Sequence, residues 1–349
     1  MRRGVLYALL AAALFGVSTP LAKALLGAVH PMILAGLLYA GSGAGLAITQ
    51  ALRSSLTRAR PMAWPQGQVW GWLAAAIFFG GILGPILLMF GLQTMSASTT
   101  SLLLNLESAF TALIAWFLFR ENFDRRIAVG MAAILAGGIV LSVEPGHVGG
   151  AWRGALLIAG ACLCWAIDNN LTRKVSATDA IVVAGLKGTI AGIVNLSLAL
   201  SLGLSLPEPA LVAEAAGVGF LGYGLSLALF VLALRELGAA RTGAYFAVAP
   251  FFGAIVAVAI LGDAVTPQLC IAAALMGFGL WLHLTERHEH EHVHESVEHI
   301  HSHRHDAHHQ HTHDFAWDGV EPHTHPHLHE ATVHRHAHLP DLHHRHRHS

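Results

Sequence analysis

The run SASTTSLLLNLESAFTALIAWFLFRE extends from Ser96 to Glu121, and at an offset of 142 GAARTGAYFAVAPFFGAIVAVAILGD extends from Gly238 to Asp263. Thr100 falls on Thr242 and Ala115 on Ala257, and each copy closes on an acidic residue. A helix needs about 20 apolar residues to cross a bilayer, so each copy is a candidate span. Their likeness extends in both directions. At an offset of 140, Leu135 and Gly137 fall on Leu275 and Gly277; at 150, Phe15 and Gly16 fall on Trp165 and Ala166. The chain is therefore an internal repeat.

Between polar breaks the sequence supplies ten apolar runs, 5–26, 30–50, 70–93, 97–119, 126–143, 152–172, 180–203, 212–234, 241–261 and 267–284. Arg2 and Arg3 before the first run resemble a signal peptide, but the repeat partner of that run lies mid-chain, so we read it as a span. Residues 1–144 form one five-helix repeat and 150–285 the second. Five is an odd number, so the halves must lie in opposite topology. Inverted repeats of this kind mark transporters, with the solute site near the bilayer midplane between halves. The expected fold class is an all-α membrane protein of ten transmembrane helices with a disordered C-terminal tail.

Composition agrees. Of 349 residues, 54% are hydrophobic and only 12% charged, against roughly a quarter charged in soluble domains. This excludes a water-soluble enzyme, and the lack of a basic stripe excludes a nucleic-acid binder. The net charge of -1 averages two unlike parts: 15 Lys and Arg against 10 Asp and Glu up to Thr285, then 5 against 11. Cys162, Cys164 and Cys270 lie in or beside apolar runs and form no disulfide framework. Cys162 and Cys164, two apart on a helix, do not share a face. Small residues recur at Gly41, Gly43 and Gly45, at Gly80, Gly81 and Gly84, at Gly137 and Gly138, and at Gly217, Gly219, Gly222 and Gly224. In lipid such residues let helix backbones approach.

Lys and Arg in alternate loops set orientation. One set of loops carries twelve and the other two, Lys23 and Arg153. Both termini are accordingly expected in the cytoplasm, for a multi-pass protein of the cytoplasmic (inner) membrane.

Gly91, Leu92 and Gln93, then Ser96, Ala97 and Ser98, then Leu102 to Glu107, closing on Glu121, resemble the fourth-span signature of the drug/metabolite transporter superfamily and its EamA-type members. Ala249, Pro250, Phe251 and Asp263 are similar to it in the second half. The resemblance spans residues 5 to 284 and implies a secondary transporter. Ser108 stands where that signature usually has Pro, and Asp263 where Glu is usual. A basic residue common early in a repeat's second span is present as Lys187 but replaced by Leu37 or Leu38 in the first half.

An ionisable group at bilayer depth costs roughly 2.5 to 3.5 kcal/mol, so each needs a partner or a purpose. Lys23, Glu107, Asp168 and Lys187 stand out. Glu107, mid-span beside Asn105, suits a proton-coupling group or a protonated side chain bonded to a neighbouring helix. Asp168, Asn169 and Asn170 lie near one end of the sixth span, and Lys187 lies about 10 Å into the seventh from the same side. An ion pair between Asp168 and Lys187 is plausible, serving structure or a gate that Asn169 and Asn170 extend. Trp165, Tyr223, Tyr245 and Phe246 are candidates to line a solute cavity or to pack.

From Glu286 the sequence alternates histidine with other residues. Six groups stand out: His288, His290, His292 and His294; His299, His301, His303 and His305; His308, His309, His311 and His313; His323, His325, His327 and His329; His334, His336 and His338; His343, His344, His346 and His348. Imidazole is a ligand for Zn, Ni, Cu and Co, and four per group match tetrahedral zinc. Few apolar residues accompany them, so no core forms, and residues 286–349 are expected to be disordered without metal.

The leading expectation is a transporter, not an enzyme, that moves a small solute by alternating access, with export as the direction that the family resemblance implies. No cofactor is required, and the tail binds a divalent transition metal (Zn, Ni or Co). Alternatives are a metal transporter whose tail collects its cargo, and a membrane-anchored metal buffer. Ten spans exceed what an anchor needs, and the spans show no ring of metal ligands at one depth. The partners expected are the solute or metal ion and the lipid bilayer, with a homodimer left open.

Overall fold

In the computed structural model the described residues are 2–56, 65, 67–119, 125–143, 151–172, 180–237, 239–284 and four tail segments. By contacts the chain divides into Met1–Thr285 and Glu286–Ser349.

The first unit is a helical bundle. Among the described residues nine helices are long and apolar enough to span a membrane: α1 (Arg3–Leu25), α2 (Pro31–Ala51), α3 (Val69–Thr94), α4 (Ala97–Phe117), α5 (Arg125–Ser142), α6 (Trp152–Thr172), α7 (Ile181–Ser201), α8 (Pro209–Leu234) and α9 (Arg241–Leu261). A further apolar helix, α10 (Pro267–Leu284), closes the unit. These are the ten runs the sequence marks. Pro31, Pro209 and Pro267 open their helices, where the missing N–H has no intrahelical partner to lose. Gly262, at φ 70°, ends α9 in the left-handed region that only glycine enters freely.

The packing partners follow a pseudo-twofold. Helix α1 packs on α8 and α9, and its counterpart α6 packs on α3 and α4; α2 meets α7, α5 meets α10, and α4 meets α9. Each pair maps onto another, or onto itself, when the halves are exchanged.

Irregularities repeat as well. A π turn interrupts α3 at Ile77–Leu83 and α8 at Phe220–Leu225, an offset of 142 to 143. Helix α4 breaks at Leu104 and Asn105, and α9 breaks at Ala247 and Val248, an offset of 143. Broken helix inside a membrane is tolerated only where protein or a water-filled cavity satisfies the freed backbone groups. The Thr100 and Thr242 hydroxyls, both fully buried just before these breaks, have no hydrogen-bond partner among the described residues.

In the second unit, β1 (Glu289–His294) pairs antiparallel with β4 (Thr332–Ala337), and β2 (Val297–His303) pairs with β3 (His323–His329). The expectation of a tail without regular structure is thus modified over these four segments. The physical reason is the alternation of histidine with other residues, a period of two that suits a strand.

Candidate functional site

The π turn of α3 builds the site's frame. A π turn frees backbone carbonyls from their usual intrahelical donors, and here neighbouring helices supply replacements. The Gly80 carbonyl accepts from the Tyr39 hydroxyl at 2.7 Å and from Trp165 Nε1 at 2.9 Å. The Gly81 carbonyl accepts from Asn195 Nδ2 at 3.0 Å. Three helices, α2, α6 and α7, are thereby tied to one turn of α3.

Asp168 lies directly against Gly80. Lys187 Nζ donates to both of its carboxylate oxygens, at 2.7 Å to Oδ1, and Thr172 Oγ1 donates to Oδ1 at 2.9 Å. The side chains are 7% and 20% exposed, so the pair is withdrawn from solvent. From the residue after Asp168 on α6, Asn169 Nδ2 donates to Glu107 of α4 at 2.7 Å. The same amide reaches Thr111 Oγ1 at 3.5 Å. Glu107 is half-buried.

Tyr39 and Tyr223 are likewise half-buried. Their rings lie 5.5 Å apart, and Phe15 meets Tyr223 edge-on at 5.8 Å. Phe246 continues the cluster, 5.5 Å from Phe15 and 4.9 Å from Phe230. Tyr39 and Asp168 both meet Gly80 of α3, and Asn169, the residue after Asp168, donates to Glu107. Aromatic faces and the two carboxylates therefore belong to one region.

Other residues singled out in the sequence have different neighbours. Asn105 is buried at the break in α4 and donates to Leu102 O at 2.9 Å, and more loosely to Met276 Sδ at 3.9 Å. Asn170 turns to its own helix and to α4, donating to Ala166 O at 2.8 Å and Thr111 O at 3.4 Å. It borders an apolar groove of about 520 Å³ lined by Leu113, Ile114, Phe117, Leu163, Ile167 and Leu171. Tyr245 packs against Ala8, Ala233 and Leu237, while the adjacent Phe246 joins the ring cluster. Cys162 and Cys164 are buried and free, and Cys270 is exposed and free. Among the described residues no three His, Cys, Asp or Glu side chains assemble as metal ligands.

Sequence reasoning missed Phe15, Tyr39 and Thr111. Tyr39 carried a usable signal, since a tyrosine hydroxyl inside an apolar span needs a partner. Nothing in the sequence marks the π turn that supplies it.

The tail histidines at 288, 305, 308, 309, 311, 313, 338, 343, 344, 346 and 348 lie outside the described residues. Those in the strands occupy facing register positions. His290 is opposite His336 and His292 opposite His334; His299, His301 and His303 are opposite His327, His325 and His323. His294 is opposite Thr332, and His329 opposite Val297.

The profile of the EamA-like transporter family matches residues 2–143 and 152–285, one copy on each half of the bundle. The chain belongs to the EamA-like transporter family. An uncharacterized transporter of Methanothermobacter thermautotrophicus is 28% identical over 297 residues, 81% of this chain and 87% of that one. Over 72 residues the chain is 40% identical to a protein of Pseudomonas fluorescens named "Probable 4-amino-4-deoxy-L-arabinose-phosphoundecaprenol flippase subunit ArnE"; this is 21% of this chain and 62% of the relative. A solved crystal structure superposes with a TM-score of 0.58 at 19% identity, covering 80% of this chain and 95% of the other, a likeness of fold. Family membership makes this EamA-like chain a multi-pass membrane protein of a small-solute transport family. The paired breaks lie in α4 and α9, which pack on one another across the two EamA copies.

Proposed function

We propose that this EamA-like protein is a secondary transporter that exports a small solute by alternating access, with both termini on the cytoplasmic side of the inner membrane. The observation that carries the reading is the matched pair of breaks, at Leu104 and Asn105 in α4 and at Ala247 and Val248 in α9. Discontinuous helices at the repeat interface are how inverted-repeat transporters expose backbone groups to a solute. Glu107, in the first turn after the break in α4, is the coupling carboxylate, because a proton on it removes the one acidic charge that a neutral amide faces. Asp168, Asn169, Lys187, Trp165 and Tyr223 border the pathway. The test is flux in proteoliposomes under an imposed pH gradient. Wild-type protein should move solute and protons together, and Glu107→Gln should abolish the dependence of flux on the gradient. Gradient-driven flux that survives in Glu107→Gln would remove Glu107 from coupling.

We further propose that the tail binds a divalent transition metal, Zn, Ni or Co, and regulates or supplies the body. Facing histidines at His290 and His336, His292 and His334, His299 and His327, His301 and His325, and His303 and His323 support this. Directly opposed residues of an antiparallel pair have Cβ atoms about 4.5–5.5 Å apart. Deletion of residues 286–349 should leave solute flux intact while removing metal response. Lost metal tolerance with no solute flux in the full-length protein would favour a membrane-anchored buffer.

A further inference from the structure

The two π turns occupy equivalent places but are held differently. Gly80 and Gly222 correspond at the offset of 142, and the turns run over Ile77–Leu83 in α3 and Phe220–Leu225 in α8. Three side chains donate to the first. Tyr39 of α2 and Trp165 of α6 donate to the Gly80 carbonyl at 2.7 and 2.9 Å, and Asn195 of α7 donates to the Gly81 carbonyl at 3.0 Å. All three donors lie outside α3 and two of them in the second repeat, so this turn is fastened to helices of both halves.

Exchanging the halves shows what stands at the same places around α8. The offset of 150 that sets Phe15 on Trp165 also sets Gly45 on Asn195 and Tyr39 on Thr189. Two of these contacts are kept without their hydrogen bonds. Phe15 meets Tyr223 of the second turn edge-on at 5.8 Å, and a phenyl ring has no N–H or O–H to give. Gly45 lies against Phe220, the first residue of that turn, and has no side chain. Thr189 keeps a hydroxyl, but it lies beside Gly43 of α2. A π turn takes carbonyls away from their regular helical donors, and helices bend where that ladder is interrupted. In α3 three outside donors bridge the interruption; in α8 none of their equivalents does.

We propose that the two turns have unequal mechanical roles: α3 is a strut that moves as one body with α6 and α7, and α8 bends at Phe220–Leu225 when the protein changes state. This rests on the reading of the protein as one that alternates between two states. An inverted repeat by itself predicts equal bending of its two halves, so the inequality comes from Tyr39, Trp165 and Asn195.

Hydrogen–deuterium exchange of purified full-length protein in lipid nanodiscs tests it, because local opening of a helix is read in its amides. Residues 220–225 should exchange about tenfold faster than residues 77–83. The double variant Tyr39→Phe, Trp165→Phe keeps an aromatic ring at each position and removes both donors to Gly80. It should bring 77–83 up to the rate of 220–225 while 220–225 stays as it was. Asn195→Ala, a milder second variant, should speed 77–83 by less and again spare 220–225. Equal exchange of the two turns in wild type, no change at 77–83 in either variant, or acceleration of both turns alike would each overturn the proposal. Spin-label distances read the bending itself. With the exposed Cys270 replaced by Ser, labels at Ala74 and Gln93 of α3 and at Glu214 and Leu232 of α8, all exposed positions, lie about 28 Å apart along each helix. The α8 pair should give a broad or two-component distribution and the α3 pair a single narrow one, and equal widths count against the hinge. Flux assays keep the two readings apart. Proteoliposomes that transport while the two turns exchange alike defeat the hinge and leave transport standing, whereas unequal turns in a protein that moves no solute do the reverse.

Discussion

Gly80 of α3 and Asp168 of α6 touch so closely that the carboxylate fills the space a Cβ at residue 80 would need. The second half repeats the relationship with Gly222 of α8 against Ser18 of α1, Ser18 matching Asp168 at the same offset of 150 that aligns Phe15 with Trp165. A side chain at residue 80 must push Asp168 away from Lys187 or distort the π turn. Gly80→Ala should therefore lower stability by about 1–3 kcal/mol, the usual cost of overpacking. Gly217→Ala is the control, because a Cβ at Gly217 meets nothing within 4 Å. Its stability should stay level or rise slightly through helix propensity. Thermal unfolding of the two variants in detergent distinguishes them.

The ion pair predicts a non-additive series. Removing one partner from a buried pair costs about 3–5 kcal/mol because the other charge is stranded, while replacing both by apolar residues is often neutral. Asp168→Leu and Lys187→Met should each destabilise strongly, and the double variant should recover most of the loss. Additive losses in a double-mutant cycle would show that the two side chains act independently.

Much of the bundle was legible in the sequence because lipid imposes a simple rule: about 20 apolar residues per crossing with charges at the ends. The repeat was legible for the same reason, since Thr100 and Thr242 or Phe15 and Trp165 hold equivalent places in equivalent spans. The site was legible only in part. Asp168 and Lys187 announced themselves as charges in apolar runs, as did Glu107. Tyr39 and Phe15 did not, because apolar and aromatic residues fill every span and their meeting depends on how α1, α2 and α8 cross. The π turns were not legible either. They coincide with the close approach of Gly80 to Asp168 and of Gly222 to Ser18, a tertiary relation with no local pattern. In the tail, composition argued against a core, and the two-residue alternation that allows strands carried no statement of which strand would pair with which.

The face of the bundle where α1 ends gives a third prediction. Lys23 Nζ donates to the Leu92 and Gln93 carbonyls at 2.7 and 3.1 Å, and Asp263 Oδ2 accepts from the Ser98 backbone N–H at 2.7 Å. A cation thus caps the end of α3 and an anion the start of α4, each matching the local helix dipole. Together they hold the turn at Met95 and Ser96 from two sides, α1 and the end of α9. Lys23→Met frees two carbonyls and loosens that turn. A cysteine introduced at Met95, which is 8% exposed, should react faster with a membrane-impermeant maleimide in the Lys23→Met background than in wild type. Unchanged labelling would mean that the turn is held without Lys23.

The tail gives the last prediction, through competition between protons and metal. Imidazole binds metal as the neutral base, and unperturbed imidazole takes up a proton near pH ~6.5. Zinc binding to full-length protein should therefore be strong at pH 7.5, weaken steeply on acidification through that range, and release protons measurable by calorimetry in buffers of different ionisation enthalpy. The facing register adds a stricter condition. His299, His301 and His303 oppose His327, His325 and His323, so a metal held across that ladder needs donors from both strands. Replacing His323, His325 and His327 with Ser should cost as much affinity as replacing His299, His301 and His303. Replacing all six should cost little more than either triplet, because each triplet alone already breaks the cross-strand set. If the six-fold variant instead loses affinity in proportion to the number of imidazoles removed, the tail binds metal as an unstructured polymer and the ladder plays no part.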